Sequence, residues 1–406
     1  MGNQRYYEDV RKPDRGTLVS LISGLLLYCL ATPLRAQEAV EQTLARVQAL
    51  VQNGELAAAE KQLRSAAALY PNSFAVHNDL GTLYLQTQRN REALREFLLA
   101  VRLNPDHADV QRNLGTCYFI ENAFADAIGP LQHAKALAPE DLRTRYQLGY
   151  SLLMLDRPQE AEPELKYASD RMPDDEHVAF ALVKTYQAQR DQEKAAAVFA
   201  SLQAAHPNSV FVHILLGEGY DIQEKYGDAI SEYQKALALA PKMPRLHFDL
   251  GFLYFQDNQL PQAKEMLQKE LQINPTFAPA LYYLGEIALD QSEHKRAIDF
   301  FQKAINQNPS CVDAYIGLGK AHTRERRPKD AVVVLEQAIR LDDQQPEIHY
   351  LLATAYHDLN EPEKRAQELR TFESLRAKEI PKPGGMIPLS RRTVATCLPH
   401  PVSKTK

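Results

Sequence analysis

Tryptophan is absent from the 406-residue chain, and there are only four cysteines, Cys29, Cys117, Cys311 and Cys397. They lie far apart with no CxxC, so neither a disulfide framework nor a zinc ribbon is supported. Only 17 glycines are present, which leaves little room for Gly-rich phosphate loops. No Walker-type GxxxxGKS or GxxxxGKT occurs, nor a GxGxxG after a strand, a GxSxG or an HExxH. The 12 histidines are scattered, and His349 and His357 are too widely spaced for two ligands one helical turn apart. His77 and His322 fall in core-facing slots, where a packed imidazole is the simpler reading than a ligand. Cys117, between Thr116 and Tyr118, reads as a buried structural thiol rather than a nucleophile. The sequence therefore predicts no enzyme, no cofactor and no metal site.

What is present is ordinary for a folded protein: 45% hydrophobic and 24% charged residues, with a formal net charge of −5. The charge is uneven. Residues 1–36 carry +2, residues 380–406 carry +5, and residues 37–379 carry −12. An acidic body repels phosphate backbones, so a nucleic-acid partner is not expected, and basic or neutral partners are favoured.

The amino terminus reads as an address. A polar stretch with Arg5, Arg11, Lys12 and Arg15 precedes an uncharged apolar run, residues 17–31, and Leu34-Arg35-Ala36 before Gln37 fits a small-residue cleavage site. That order predicts a secretory signal peptide over residues 1–36 and an exported protein, periplasmic or secreted. The run is short against the roughly 20 residues a spanning helix needs. The alternative is an uncleaved anchor at 17–31, which alone would give membrane contact.

The body repeats. Prolines at 71, 105, 139, 173, 207, 241, 275 and 309 are each 34 residues apart, and alanines from Ala59 to Ala331 keep the same step. Leu-Gly pairs do likewise at Leu80-Gly81, Leu114-Gly115, Leu148-Gly149, Leu216-Gly217, Leu250-Gly251, Leu284-Gly285 and Leu318-Gly319. Within residues 74–107, His77, Leu80, Gly81 and Tyr84 mark one face of a first helix. Asn90 and Arg91 mark a polar turn, Ala93, Phe97 and Ala100 a second helix, and Pro105 the end of the unit. Gly81 and Ala93 are small where two antiparallel helices must touch, and Tyr84 and Phe97 are large where space must be filled.

This pattern resembles the tetratricopeptide repeat over residues 40–379, which divide into ten 34-residue units. The resemblance implies an all-α fold, an α-solenoid of about ten helix-turn-helix units wound into a right-handed superhelix, spanning 37–379. Departures are local. Val183 and Ala353 replace the glycine, Leu152, Ala288 and His322 the tyrosine, Asp343 the proline, and Arg46-Val47 the first Leu-Gly. Terminal units need one polar face because they have one neighbour, which suits Arg46. The last helix, Pro362 to Ile380, places Ala366, Leu369, Phe372 and Leu375 on one face and reads as an amphipathic cap. Residues 380–406 are rich in proline and basic and read as a flexible tail.

The resemblance also implies that the first helix of each unit lines a concave groove through its second, fifth, ninth and twelfth residues. In the central units these slots hold Tyr146, Tyr150, Phe180 and Phe211, followed by Phe248, Phe252, Phe255 and Tyr282. Exposed aromatics supply large rigid contact area for a partner, although such a stripe can equally pack on itself. Glu218, Asp221 and Glu286, with Asp290 one residue past the twelfth, accompany Lys184 and Lys320 there, a mix suited to a protein or peptide segment with apolar side chains and some positive charge. A chaperone-type carboxylate clamp is doubtful because Asn78 and Thr82 stand where Lys and Asn are required, and an asparagine ladder is absent. The expected role is a non-enzymatic, exported interaction scaffold, or alternatively a membrane-anchored envelope assembly or secretion factor.

Overall fold

The computed structural model describes residues 37–379 and Cys397. The signal or anchor segment and the rest of the carboxy-terminal tail lie outside the described residues. Among the described residues there are twenty helices over 37–379 and no strand. They are α1 (37–52), α2 (Leu56–Leu69), α3 (Phe74–Gln86), α4 (Asn90–Leu103), α5 (Ala108–Ile120), α6 (Phe124–Leu137), α7 (Leu142–Met154) and α8 (Pro158–Ser169). Then follow α9 (Glu176–Ala188), α10 (Gln192–Ala205), α11 (Val210–Ile222), α12 (Tyr226–Leu239), α13 (Leu246–Gln256) and α14 (Leu260–Ile273). The last six are α15 (Ala278–Asp290), α16 (His294–Gln307), α17 (Val312–Arg324), α18 (Pro328–Leu341), α19 (Pro346–Asp358) and α20 (Pro362–Glu379). The fold is an α-solenoid of helix pairs, as the repeat predicts.

A few local devices recur along the array. Ser73, Asp141 and Ser209 cap the first helices by accepting backbone N–H groups from Val76, Arg143 and Phe211. Prolines stand at the first turn of α8, α18, α19 and α20, where a missing N–H costs nothing. Between the two helices of a pair the chain reverses through one left-handed residue, at Gln88, Asn122, Asp156, Arg190, Glu224, Asn258, Ser292, Arg326 and Asn360, all near φ +55 to +62°, and at Gly54. The turn in the second unit is therefore Thr87–Arg89. Asn90, expected in the turn, already starts α4. Each Leu-Gly glycine then meets a large residue of its partner helix: a Cβ on Gly81 would lie 2.7 Å from Phe97.

The chain divides into two compact units. Among the described residues unit 1 comprises 37–173 with 181–195, and its core gathers Val47, Leu63, Val76, Leu80, Phe97 and Leu114 around the buried thiol of Cys117. Arg46 is exposed beside buried Val47, as a terminal unit requires. Cys117 donates to the Asn90 carbonyl at 3.7 Å, and burial pushes its thiol up to about 11, so it is inert rather than nucleophilic. His77 is a packed imidazole, held by Glu96 at 2.6 Å and by the Pro71 carbonyl at 3.0 Å.

Among the described residues unit 2 comprises 174–180 with 196–379 and Cys397. Its core runs through α11 to α17 and includes Leu250, Leu267, Leu284 and Phe301. Two local features stand out here, and the second corrects an expectation. The repeat starting at Pro244 forms its first helix only from Leu246. Arg245 is left-handed at φ 73°, and the fully buried Glu270 of α14 accepts its backbone N–H. A carboxylate from the second helix thus takes the place of the local cap that Ser73, Asp141 and Ser209 supply elsewhere. Secondly, Cys311 and Cys397 form a disulfide across 86 residues, both buried in the core, and Asn308 donates to the Cys397 carbonyl at 3.1 Å. The wide separation of the cysteines argues against a disulfide, but separation along the chain does not decide which residues meet in space. The flexible-tail reading of the other carboxy-terminal residues falls outside the described residues. The terminal helix α20 buries Leu375 and half-buries Leu369 and Phe372, but Ala366 is exposed, because α20 packs on α19 at the end of the stack.

Candidate functional site

The aromatic residues of the first helices are brought together, mostly with one another. In unit 1, Tyr146 and Tyr150 of α7 meet Phe119 edge-on at 6.2 and 5.5 Å, Tyr150 also meets Phe124 at 6.0 Å, and both tyrosines are half-buried. In unit 2, half-buried Phe180 packs on buried Phe211 at 4.8 Å. A larger cluster forms on α13 and α15. Phe248 is 1% exposed and forms its floor, while Phe252 and Phe255 lean on Tyr283 at 5.3 and 5.2 Å and keep part of their surface in solvent. Tyr282 is buried between Tyr283 and Phe301. The slots thus split into a floor (Phe211, Phe248, Tyr282) and an accessible shelf (Phe180, Phe252, Phe255).

The acidic slots differ as well. Asp290 is exposed at the end of α15, and Glu218 and Asp221 are half-buried on α11. Glu286 lies one turn beyond Tyr282, and burial raises its carboxyl above the ordinary range. Asp313 on α17, which packs beside α15, is pushed up to about 7 by burial and by the charges of Glu286 and Glu347. Sequence reasoning named Glu286 but missed Asp313 and Tyr283. Asp313 holds the second slot of its unit, so the periodic signal was there, one repeat beyond the aromatic run. Tyr283 holds the sixth slot, which points between neighbouring first helices. Lys320 is engaged by Glu347 at 2.8 Å.

Among the described residues no three His, Cys, Asp or Glu side chains converge as a metal ion requires, and no helix is long and apolar enough to cross a membrane. The arrangement offers shape, aromatic surface and charge.

Family models of the tetratricopeptide repeat match residues 40–83, 78–141, 178–209, 222–285 and 288–354. The chain belongs to the tetratricopeptide repeat family. Its repeats indicate a protein–protein interaction scaffold, and proteins of this family are generally non-catalytic. Similar solved structures include the APC/C hetero-tetramer Cut9–Hcn1, with 17% identity, a TM-score of 0.56, and 87% of this chain matched to 75% of that one. The human IFIT1 dimer with m7Gppp-AAAA is similar at 17% identity and a TM-score of 0.51, over 83% of this chain and 81% of that one. At these identities the likeness is one of fold. No curated protein was found to match the sequence.

Proposed function

We propose that this tetratricopeptide array is exported from the cytoplasm and binds a peptide or protein segment on the first-helix face of unit 2. The observation that carries the binding reading is the aromatic shelf. Phe252 and Phe255 rest on Tyr283 and Phe248 yet keep surface in solvent, although nothing in the repeat's core requires aromatics there. Rigid, pre-packed aromatic side chains lose little entropy when a partner covers them. Phe180 extends the same kind of surface onto α9, and Glu218, Asp221 and Asp290 would steer a basic partner and set the salt dependence of its association. Tyr146 and Tyr150 form a second surface of this type in unit 1.

Export is supported by the charged-then-apolar order of residues 1–36 and by the pairing of Cys311 with Cys397, a bond that persists in oxidising compartments. Sequencing the mature amino terminus separates cleavage, which gives Gln37 first, from the membrane-anchored adaptor, which keeps Met1. For the binding face, pull-downs with the full chain are compared with Phe252→Ala and Phe255→Ala. Each variant should keep its helical circular dichroism and lose its captured partner by roughly thirtyfold in affinity. If both fold and capture the same partner equally well, the shelf is packing and the binding face lies elsewhere.

A further inference from the structure

Two carboxylate oxygens on the first-helix face of unit 2 are buried without a hydrogen-bond donor: Oε1 of Glu286 on α15 and Oδ2 of Asp313 on α17. The helices pack side by side, and Asp313 lies within the field of Glu286. Lys320 and Arg324 lie close enough to favour the ionised form of Glu286, and Lys320 that of Asp313, but neither donates to the two stranded oxygens. Lys320 Nζ sits 2.8 Å from Glu347 Oε1, and Arg324 Nη1 donates to the Leu289 carbonyl at 3.2 Å. A desolvated carboxylate oxygen with no donor is costly, and here two of them lie on neighbouring first helices. In a well-packed region, where Tyr282, Leu284 and Ile316 are all buried, such a defect is conspicuous.

We propose that Glu286 and Asp313 form a receptor for one basic side chain, a lysine ammonium or an arginine guanidinium, of a peptide lying across α13, α15 and α17. This rests on the binding reading above and narrows the partner. A cation with several N–H donors satisfies both stranded oxygens at once, and charge-assisted bonds of this kind are about twice as strong as neutral ones. The position suits a peptide, since Tyr283 touches Phe252 and Phe255 on one side and Tyr282 on the other, and Tyr282 precedes Glu286 by one helical turn. The aromatic shelf and the acid pair therefore share one continuous face. The preferred segment carries an apolar or aromatic residue a few positions from Lys or Arg. A metal ion is a poorer fit, because among the described residues no third ligand converges on the pair.

The test is selection of a displayed random heptapeptide library on the full chain at neutral pH. The best peptide is then resynthesised, along with a version in which its basic residue is replaced by Gln. The expected peptides contain Lys or Arg beside an apolar residue, and replacement by Gln weakens binding at least tenfold. Against the double variant Glu286→Gln, Asp313→Asn, whose folding is checked by circular dichroism, the same replacement should change affinity less than twofold, because the interaction is already gone. Peptides that lose affinity for Phe252→Ala but carry no basic residue, or that bind the double variant as tightly as the native chain, overturn the cation receptor and leave the binding face standing. Failure to enrich any peptide sensitive to Phe252→Ala overturns both.

Discussion

Leu165 of α8 closes over Gly149 of α7, so that a Cβ built on the glycine would stand 2.6 Å from Leu165 Cγ and 3.3 Å from the Ala161 carbonyl oxygen. Carbon atoms do not approach so closely, and one of the contacts is backbone, which cannot swing aside. Gly149→Leu should therefore destabilise unit 1 by about 1–3 kcal/mol through overpacking. Urea titration followed by circular dichroism reads this directly. A neutral substitution would mean that α7 and α8 do not pack this closely.

The left-handed turn residues provide a test of opposite sign. Glu224 sits at φ 59° with an exposed side chain, and the left-handed region costs a non-glycine residue roughly 1–2 kcal/mol. Part of that gain is offset because glycine is freer in the unfolded chain. Glu224→Gly should raise stability by about 0.5–1 kcal/mol, and Gly54→Ala, at φ 78° with no neighbour near its Cβ, should lower it. A thermal midpoint that falls for Glu224→Gly would contradict the turn geometry.

Linking Cys311 to Cys397 closes a loop of 86 residues over the carboxy-terminal repeats of unit 2. A cross-link of that span typically contributes about 2–4 kcal/mol by restricting the unfolded chain. Cys397→Ser, or reductant, should lower the thermal midpoint while leaving helicity at room temperature largely intact. Non-reducing peptide mapping should recover a fragment containing both cysteines. Recovery of only free thiols from protein purified under oxidising conditions would count against the pairing.

Asp313 makes stability depend on pH. Its carboxyl is pushed up to about 7 by burial, by Glu286 and by Glu347, with Lys320 acting the other way. In the unfolded chain it titrates near 3.8. Between these values the folded state holds the extra proton, so stability falls as pH rises from about 4 to about 7 and levels off above. Asp313→Asn should flatten that slope, raising the midpoint at pH 8 by the equivalent of roughly 2 kcal/mol while changing little at pH 4. An unchanged slope would place the titrating group elsewhere.

Much of the fold was legible because one repeat is small and local. The 34-residue step of Pro, Ala and Leu-Gly located the helix pairs, and Gly149 against Leu165 is the contact that a glycine at a fixed offset from an apolar residue implies. The site was only partly legible. Phe252 and Phe248 occupy equivalent helical faces, yet one is half-exposed and the other is sealed by Phe277 and Tyr283. Which ring becomes floor and which becomes shelf depends on the side chains of the next repeat.

The sequence by itself determined the class of fold, the register of the repeats and the polar ends of the array, because each helix pair buries residues that lie within one period of one another. Three things were settled only by the packed structure, because they depend on a side chain that the repeat pattern does not specify. Glu270 reaches back from the second helix of its repeat to take over the cap at Arg245. Cys397 meets Cys311 across 86 residues. Glu286 and Asp313, from different repeats, are left together without a donor. Periodicity reports which face a side chain is on, but whether that face is sealed, capped or left wanting a hydrogen bond depends on the identity of a neighbour that stacking, not chain order, supplies.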